Sequence, residues 1–251
     1  MKLIEKNFLF AIIVTMALFS SHAHAETLHM GISEWKPWII KDKNTFTGIV
    51  IEICREAVRR AGHNSLVIEL PQNRRDLIEW GKRISVEPGC DKLWRKRFDD
   101  VSVYTDPYIE TRNVVVSYKD SYPVTDTIET YYGERIGCNL GYYYTDGFSE
   151  AFEQGKMIRD DCKEGHYLIT KLIKKRYKAV IADTLEWKYW MEERGYDISN
   201  FEESYTFSHM NNLRIRLHIS KKHLIDSLNK ALGSMKSDKT IDKIVKKFVK
   251  N

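Results

Sequence analysis

Residues 135–183 alternate strand-like and helix-like segments, and no other feature of the chain constrains its fold as much. "RIGCNLG" (135–141) is a strand pattern ending at a glycine turn, and "TDGFSEAFEQG" follows as a helix. "KMIRDDC" (156–162) is a strand, "HYLITKLIKKRY" (166–177) a helix and "KAVIAD" (178–183) a strand. Parallel strands need a long crossover, usually a helix. The order therefore predicts a small parallel sheet with helices on its faces.

The first half has a similar pattern. "TLHMGISEW" (27–35) is a strand running into a loop. "GIVIEICREAVRRAG" (48–62) places Val50, Ile53, Cys54, Ala57, Val58 and Ala61 three and four apart, which predicts an amphipathic helix stopped by Gly62. "SLVIEL" (65–70) and "ISVEP" (84–88) are strands, with a short helix predicted over 73–83 between them. Val101 and Val103 begin an alternating stretch that Pro107 breaks, and "NVVVSY" (113–118) has the continuous apolar run of a buried strand. Near the end, "LRIRLHIS" (213–220) is a strand, and 222–235 and 240–249 are amphipathic helices. A chain of 251 residues, 43% hydrophobic, can build one large core or two smaller ones.

Lys2 and Lys6 precede the apolar run "NFLFAIIVTMALFSS", and "AHA" follows it. That order predicts a secretory leader cleaved after Ala25. The formal net charge of +5 is spread along the chain and comes with no nucleic-acid motif, so no nucleic-acid partner is expected. Export would place the four cysteines, Cys54, Cys90, Cys138 and Cys162, in an oxidising compartment, where an even number suggests disulfides. No Cys-x-x-Cys pair is present and no histidine stands at ligand spacing, so no metal is expected. No cofactor is expected either.

The order of elements resembles the bacterial extracellular solute-binding proteins of family 3, the polar amino-acid type that serves ABC importers. The resemblance covers nearly all of the chain after residue 25 and rests on several weak motifs. "GISEWKPW" is similar to the family's opening strand and loop, and "TGIVIEICREAVRRAG" to its first helix. "WGKRISVEPGCDKLWRKRF" is similar to its strand and arginine, "YTDPY" to its Phe-Ser-Asp-Pro-Tyr, and "KRYKAVIAD" to the strand ending in its ligand-binding Asp.

The resemblance implies an α/β fold with two lobes, a periplasmic binding protein fold of type II. Each lobe would hold a mixed, mostly parallel sheet flanked by helices, with two crossover strands as hinge. It implies lobe 1 over 26–115 and 212–251 and lobe 2 over 116–211. It favours the disulfides Cys138–Cys162 and Cys54–Cys90, since each pair then falls inside one lobe. Other pairings, and free buried thiols, remain open.

Such a cleft must pair both ends of a zwitterion, because a buried unpaired charge is costly. A guanidinium matches a carboxylate with two parallel hydrogen bonds. The resemblance implies Arg95 as that clamp, although the count back from "TDPY" falls nearer Arg97. It implies Asp183 for the ammonium and Trp35 as the cleft aromatic, with Trp38 as core. Gly141 and Tyr143 would lie on the second-lobe loop. Glu87 and Pro88 depart from the family's hydroxyl residue and glycine: Pro88 has no amide N–H to donate and Glu87 repels a carboxylate. That departure favours a positively charged solute.

The expected function is capture of a small polar solute, an amino acid or related amine, by a monomer that serves an inner-membrane ABC permease, with no catalysis. Two alternatives stay open: an exported enzyme of the prephenate-dehydratase kind, using Glu34, Glu87 or Asp183 as acid or base, and a ligand-sensing module of a receptor.

Overall fold

The structure, a computed structural model, describes residues 25–70, 74–163 and 165–249. The expected leader lies outside the described residues except for Ala25.

The backbone forms two main sheets, with two short strands paired apart from them, β2 (Ile40–Asp42) and β3 (Thr45–Thr47). In the first sheet β1 (Thr27–Ile32) lies parallel to β4 (Asn64–Glu69) and to β5 (Val86–Cys90). Antiparallel strands extend it: β13 (Asn211–His218) beside β5, then β6 (Ser102–Tyr104), with β7 (Ile109–Thr111) also on β13. The crossover between β1 and β4 is helix α1 (Ile49–Arg60). Its Val50, Ile53, Cys54, Ala57 and Val58 are buried as the spacing predicts, Ile49 and Ile51 are buried as well, and Ala61 is half-buried at the C-cap. Helices α5 (Ile225–Ser237) and α6 (Thr240–Phe248) add Leu228, Leu232, Met235, Ile241 and Ile244 to the same core.

The second sheet has the order β10 (Ile158–Cys162), β9 (Arg135–Asn139), β11 (Ala179–Asp183), β8 (Asn113–Tyr118) and β12 (Phe201–Thr206). Strands β10, β9 and β11 are parallel, as the alternation predicts, but β8 and β12 run antiparallel. The sheet is therefore mixed. Its two faces have separate cores. Helices α3 (Gly165–Ile173) and α4 (Thr184–Glu193) cover one with Leu168, Leu172, Trp187 and Met191. Helix α2 (Phe148–Glu153) and the aromatics Tyr131, Tyr144, Tyr205 and Phe207 cover the other. The chain passes from the first sheet to the second at Arg112, between β7 and β8, and returns between β12 and β13.

All four cysteines are buried free thiols, and the expected disulfides are absent. The register explains why for Cys138 and Cys162. On neighbouring strands, Cys162 sits opposite Asn139 and Cys138 opposite Asp161. One residue of offset sends the two thiols to opposite faces of the sheet, and they join different cores. Cys54 packs in the core under α1, whereas the Cys90 thiol donates to the Asp91 carbonyl at 3.1 Å. Burial pushes the Cys54 thiol up to about 12, so it stays protonated. The predicted helix over 73–83 is also corrected: its described part is a single turn, Arg75–Glu79, followed by turns.

Candidate functional site

A cleft open to solvent is lined by residues of both sheets, the concave setting in which small-molecule sites occur. The first sheet and its loops supply Ser33, Glu34, Trp35, Arg75, Glu87, Pro88, Gly89, Trp94 and Arg95. The second supplies Asn113, Gly141, Tyr142, Tyr143 and Asp183. Strands β1, β9 and β11 all point their C-terminal ends at it, where open α/β sheets gather their sites. All six expected ligand residues, Trp35, Glu87, Arg95, Gly141, Tyr143 and Asp183, line this one cleft. Arg97 does not; it is exposed, with its guanidinium 4.7 Å from the Phe98 ring centroid.

The wall of the first sheet is a buried ion cluster. Between Glu87 and Cys90, β5 advances three residues while β13 advances two, from Arg216 to Arg214. The extra residue is a β-bulge, a device that re-aims side chains and tolerates proline; it coincides with Pro88. Glu87 is 3% exposed and accepts from Arg95 through Nη2 at 2.7 Å and Nε at 3.2 Å. Arg75 Nη2 lies 3.0 Å from the same carboxylate, and Arg216 Nη1 donates to it at 3.1 Å. Asp76 is the second anion, 3.3 Å from Arg75, 3.2 Å from Arg216 and 3.4 Å from Arg95. Burial pushes the Glu87 carboxyl up, but Arg75, Arg95 and Arg216 outweigh it and hold it far below the usual carboxylate range. Arg216 is fully buried, donates to Ser102 at 2.9 Å and stacks 3.8 Å over Trp80.

Sequence reasoning missed Arg75, Asp76 and Arg216. Arg214 and Arg216 alternate with Leu213, Ile215 and Leu217 in a period of two. That pattern marks a solvent face, unless a loop covers it. Here residues 75–80 cover it.

The wall of the second sheet carries two buried carboxyls, Asp183 and Glu186, that form no ion pair among the described residues. Asp183 ends β11, is 4% exposed and caps α4, accepting from the amides of Leu185 at 3.0 Å and Glu186 at 3.2 Å. The Trp38 indole donates to the same oxygen at 3.0 Å from across the cleft, and the Thr111 hydroxyl donates to the other. Burial raises the Asp183 carboxyl despite these four donors. Glu186, one turn on, is pushed up to about 8, first by burial and then by the Asp183 charge, while Trp35 and Asn139 act in the opposite direction. Its Oε1 fills the place where a Gly165 Cβ would stand, 1.9 Å from that position, so any side chain at 165 has to displace the carboxyl. Its Oε2 has no hydrogen-bond partner among the described residues, nor have the indole nitrogens of Trp35 and Trp190.

The aromatics frame the opening. Trp35 stacks on Trp38 with centroids 5.2 Å apart and meets Trp94 edge-on at 5.7 Å. Lys36 reaches Glu193 at 3.4 Å and lies 4.9 Å from the Trp190 ring centroid, a second contact between the lobes. Tyr143 is exposed at the rim and donates to Glu150 at 3.0 Å. No group of three or more potential metal ligands occurs among the described residues.

The family model for bacterial extracellular solute-binding proteins, family 3, matches residues 28–251. The chain is 24% identical to "ABC transporter arginine-binding protein 1" of Escherichia coli (strain K12) over 253 residues, covering 95% of this chain and 97% of that one. It is 23% identical to "Arginine-binding extracellular protein ArtP" of Bacillus subtilis (strain 168), over 91% of this chain and 88% of that one. Among solved structures, an ancestral arginine-binding protein bound to arginine superposes with a TM-score of 0.73 at 19% identity, over 89% of this chain and 98% of that one.

Proposed function

The chain belongs to the bacterial extracellular solute-binding proteins of family 3, and we propose that it captures a small polar solute in the cleft and hands it to an ABC importer without catalysis. It works in the periplasm as a monomer after its leader is removed. The observation that carries this reading is the cleft itself. It is lined from both sheets, and hydrogen bonds from Trp38 and Thr111 to Asp183 and from Lys36 to Glu193 join them beside it. A solute held between such walls favours the closed arrangement by its contacts with both, which is how a ligand shifts a population.

The ion cluster supports binding over acid–base chemistry. Glu87 is held ionised by three guanidiniums, and a general acid or base needs a carboxyl poised near the working pH. Asp183 accepts four hydrogen bonds and has little freedom to move a proton.

A thermal-shift screen of the leader-free protein against amino acids, amines and small organic acids tests the reading. We expect at least one class to raise the melting temperature and to reduce the radius of gyration in solution scattering. Mass analysis of the bound solute after long incubation should recover it unchanged. A solute recovered as a product would replace capture with catalysis.

A further inference from the structure

We propose that the cleft takes an organic cation with no carboxylate, an amine or guanidine, because Glu87 already occupies the guanidiniums that would grip one. This rests on the capture reading and names the solute class of the same site.

Both guanidiniums that line the cleft are already paired with buried carboxylates. Arg95 uses Nε and Nη2 on Glu87, and its Nη1 donates to the Trp94 carbonyl at 3.1 Å. Arg75 is bridged to Glu87 at 3.0 Å and to Asp76 at 3.3 Å. The carboxylate of Glu87 thus stands where the carboxylate of an amino acid would have to go. A ligand carboxylate entering there meets Glu87 as a like charge, or displaces it. A displaced Glu87, buried beside Pro88, which has no N–H to donate, would lose its charge partners.

The charge of the lining points the same way. The cleft presents two guanidiniums, Arg75 and Arg95, against three carboxylates, Glu34, Glu87 and Asp183, with Lys36 Nζ 3.9 Å from Glu34 at the edge of the lining. The third guanidinium of the cluster, Arg216, lies behind the wall on Trp80, outside the lining. The lining is therefore formally anionic, and Trp35, Trp94 and Tyr142 add aromatic surface that attracts a cation.

Matched pairs that differ only in the carboxylate test this directly. The leader-free protein is titrated calorimetrically with agmatine against arginine, and with cadaverine against lysine. The carboxylate-free member of a pair is expected to bind at least about tenfold more tightly, since its partner must disturb a buried ion pair. The Glu87→Gln variant, which frees the Arg95 fork, is expected to move that ratio toward the amino acid by about tenfold. Arginine or lysine binding as tightly as its decarboxylated partner overturns the inference but leaves capture standing. So does a stable Glu87→Gln protein whose ratio is unchanged. Binding of anionic or neutral solutes alone, with all four cations inert, also overturns it. If no solute of any class binds, the capture reading fails with it. The comparison on the native chain decides the matter even if Glu87→Gln does not fold.

Discussion

The two walls of the cleft bury carboxyls to the same depth and treat them in opposite ways. Glu87, on the first sheet, is 3% exposed and far below the usual carboxylate range; Glu186, on the second, is 4% exposed and pushed up to about 8. Burial acts upward on both. The difference is compensation. Glu87 has three guanidiniums within hydrogen-bonding reach, whereas Glu186 has the charge of Asp183 beside it and only indole and amide dipoles in its favour. Depth alone does not set a protonation state; the charges that offset or reinforce burial decide it.

Removing the anion from the first wall should have the largest effect. Glu87→Ala leaves Arg75, Arg95 and Arg216 buried against Asp76 alone. A loss of roughly 3–5 kcal/mol is expected, read as a lower urea midpoint with an unchanged slope. A loss below about 1 kcal/mol would mean that water reaches the cluster and the walls are less different than described.

The second wall should show itself in pH dependence. Folded Glu186 keeps its proton up to about 8, while the unfolded chain releases it near the ordinary value. Between these two values the folded state holds the extra proton, so stability falls as pH rises, at about 1.4 kcal/mol per pH unit. The contribution is fully present below the unfolded value and is lost by about pH 8. Glu186→Gln should remove this slope. Denaturation midpoints from pH 5 to 8.5 that run parallel in the two proteins would show that Glu186 is not held neutral.

A smaller effect tests how tightly that wall is packed. Gly165→Ala places a methyl on the Glu186 carboxyl, and an overpacked site costs about 1–3 kcal/mol. In the Glu186→Ala background the same change should cost much less. Equal costs in both backgrounds would separate the two residues.

The smallest effect is expected at Arg97. It is exposed and outside the cleft, so Arg97→Ala should stay within about 0.5 kcal/mol of the parent in stability and bind the same solute equally well. Binding lost in Arg97→Ala and kept in Arg95→Ala would reverse the placement of the two arginines.

Local chemistry in the sequence determined the elements. The three-and-four spacing of Val50, Ile53, Cys54 and Ala57 specified α1, and the apolar runs of "NVVVSY" and "KAVIAD" specified two strands of the second sheet. Motif positions placed Trp35, Glu87, Arg95, Gly141, Tyr143 and Asp183 around one cleft: Trp35 follows β1, Gly141 and Tyr143 follow β9, Asp183 ends β11, and Glu87 and Arg95 lie in β5 and in the helical segment after it. Register and enclosure belong to the tertiary structure. One residue of offset between β9 and β10 kept Cys138 from Cys162, and no spacing in the chain reveals that offset. A period-two face that reads as solvent became the buried seat of Arg216 because residues 75–80 fold over it. Thus the sequence named Glu87 as a departure, but only the three-dimensional arrangement gave it three guanidiniums. The free energy of a buried charge depends on what surrounds it in space, and the neighbours of Glu87 come from segments up to 129 residues away in the chain.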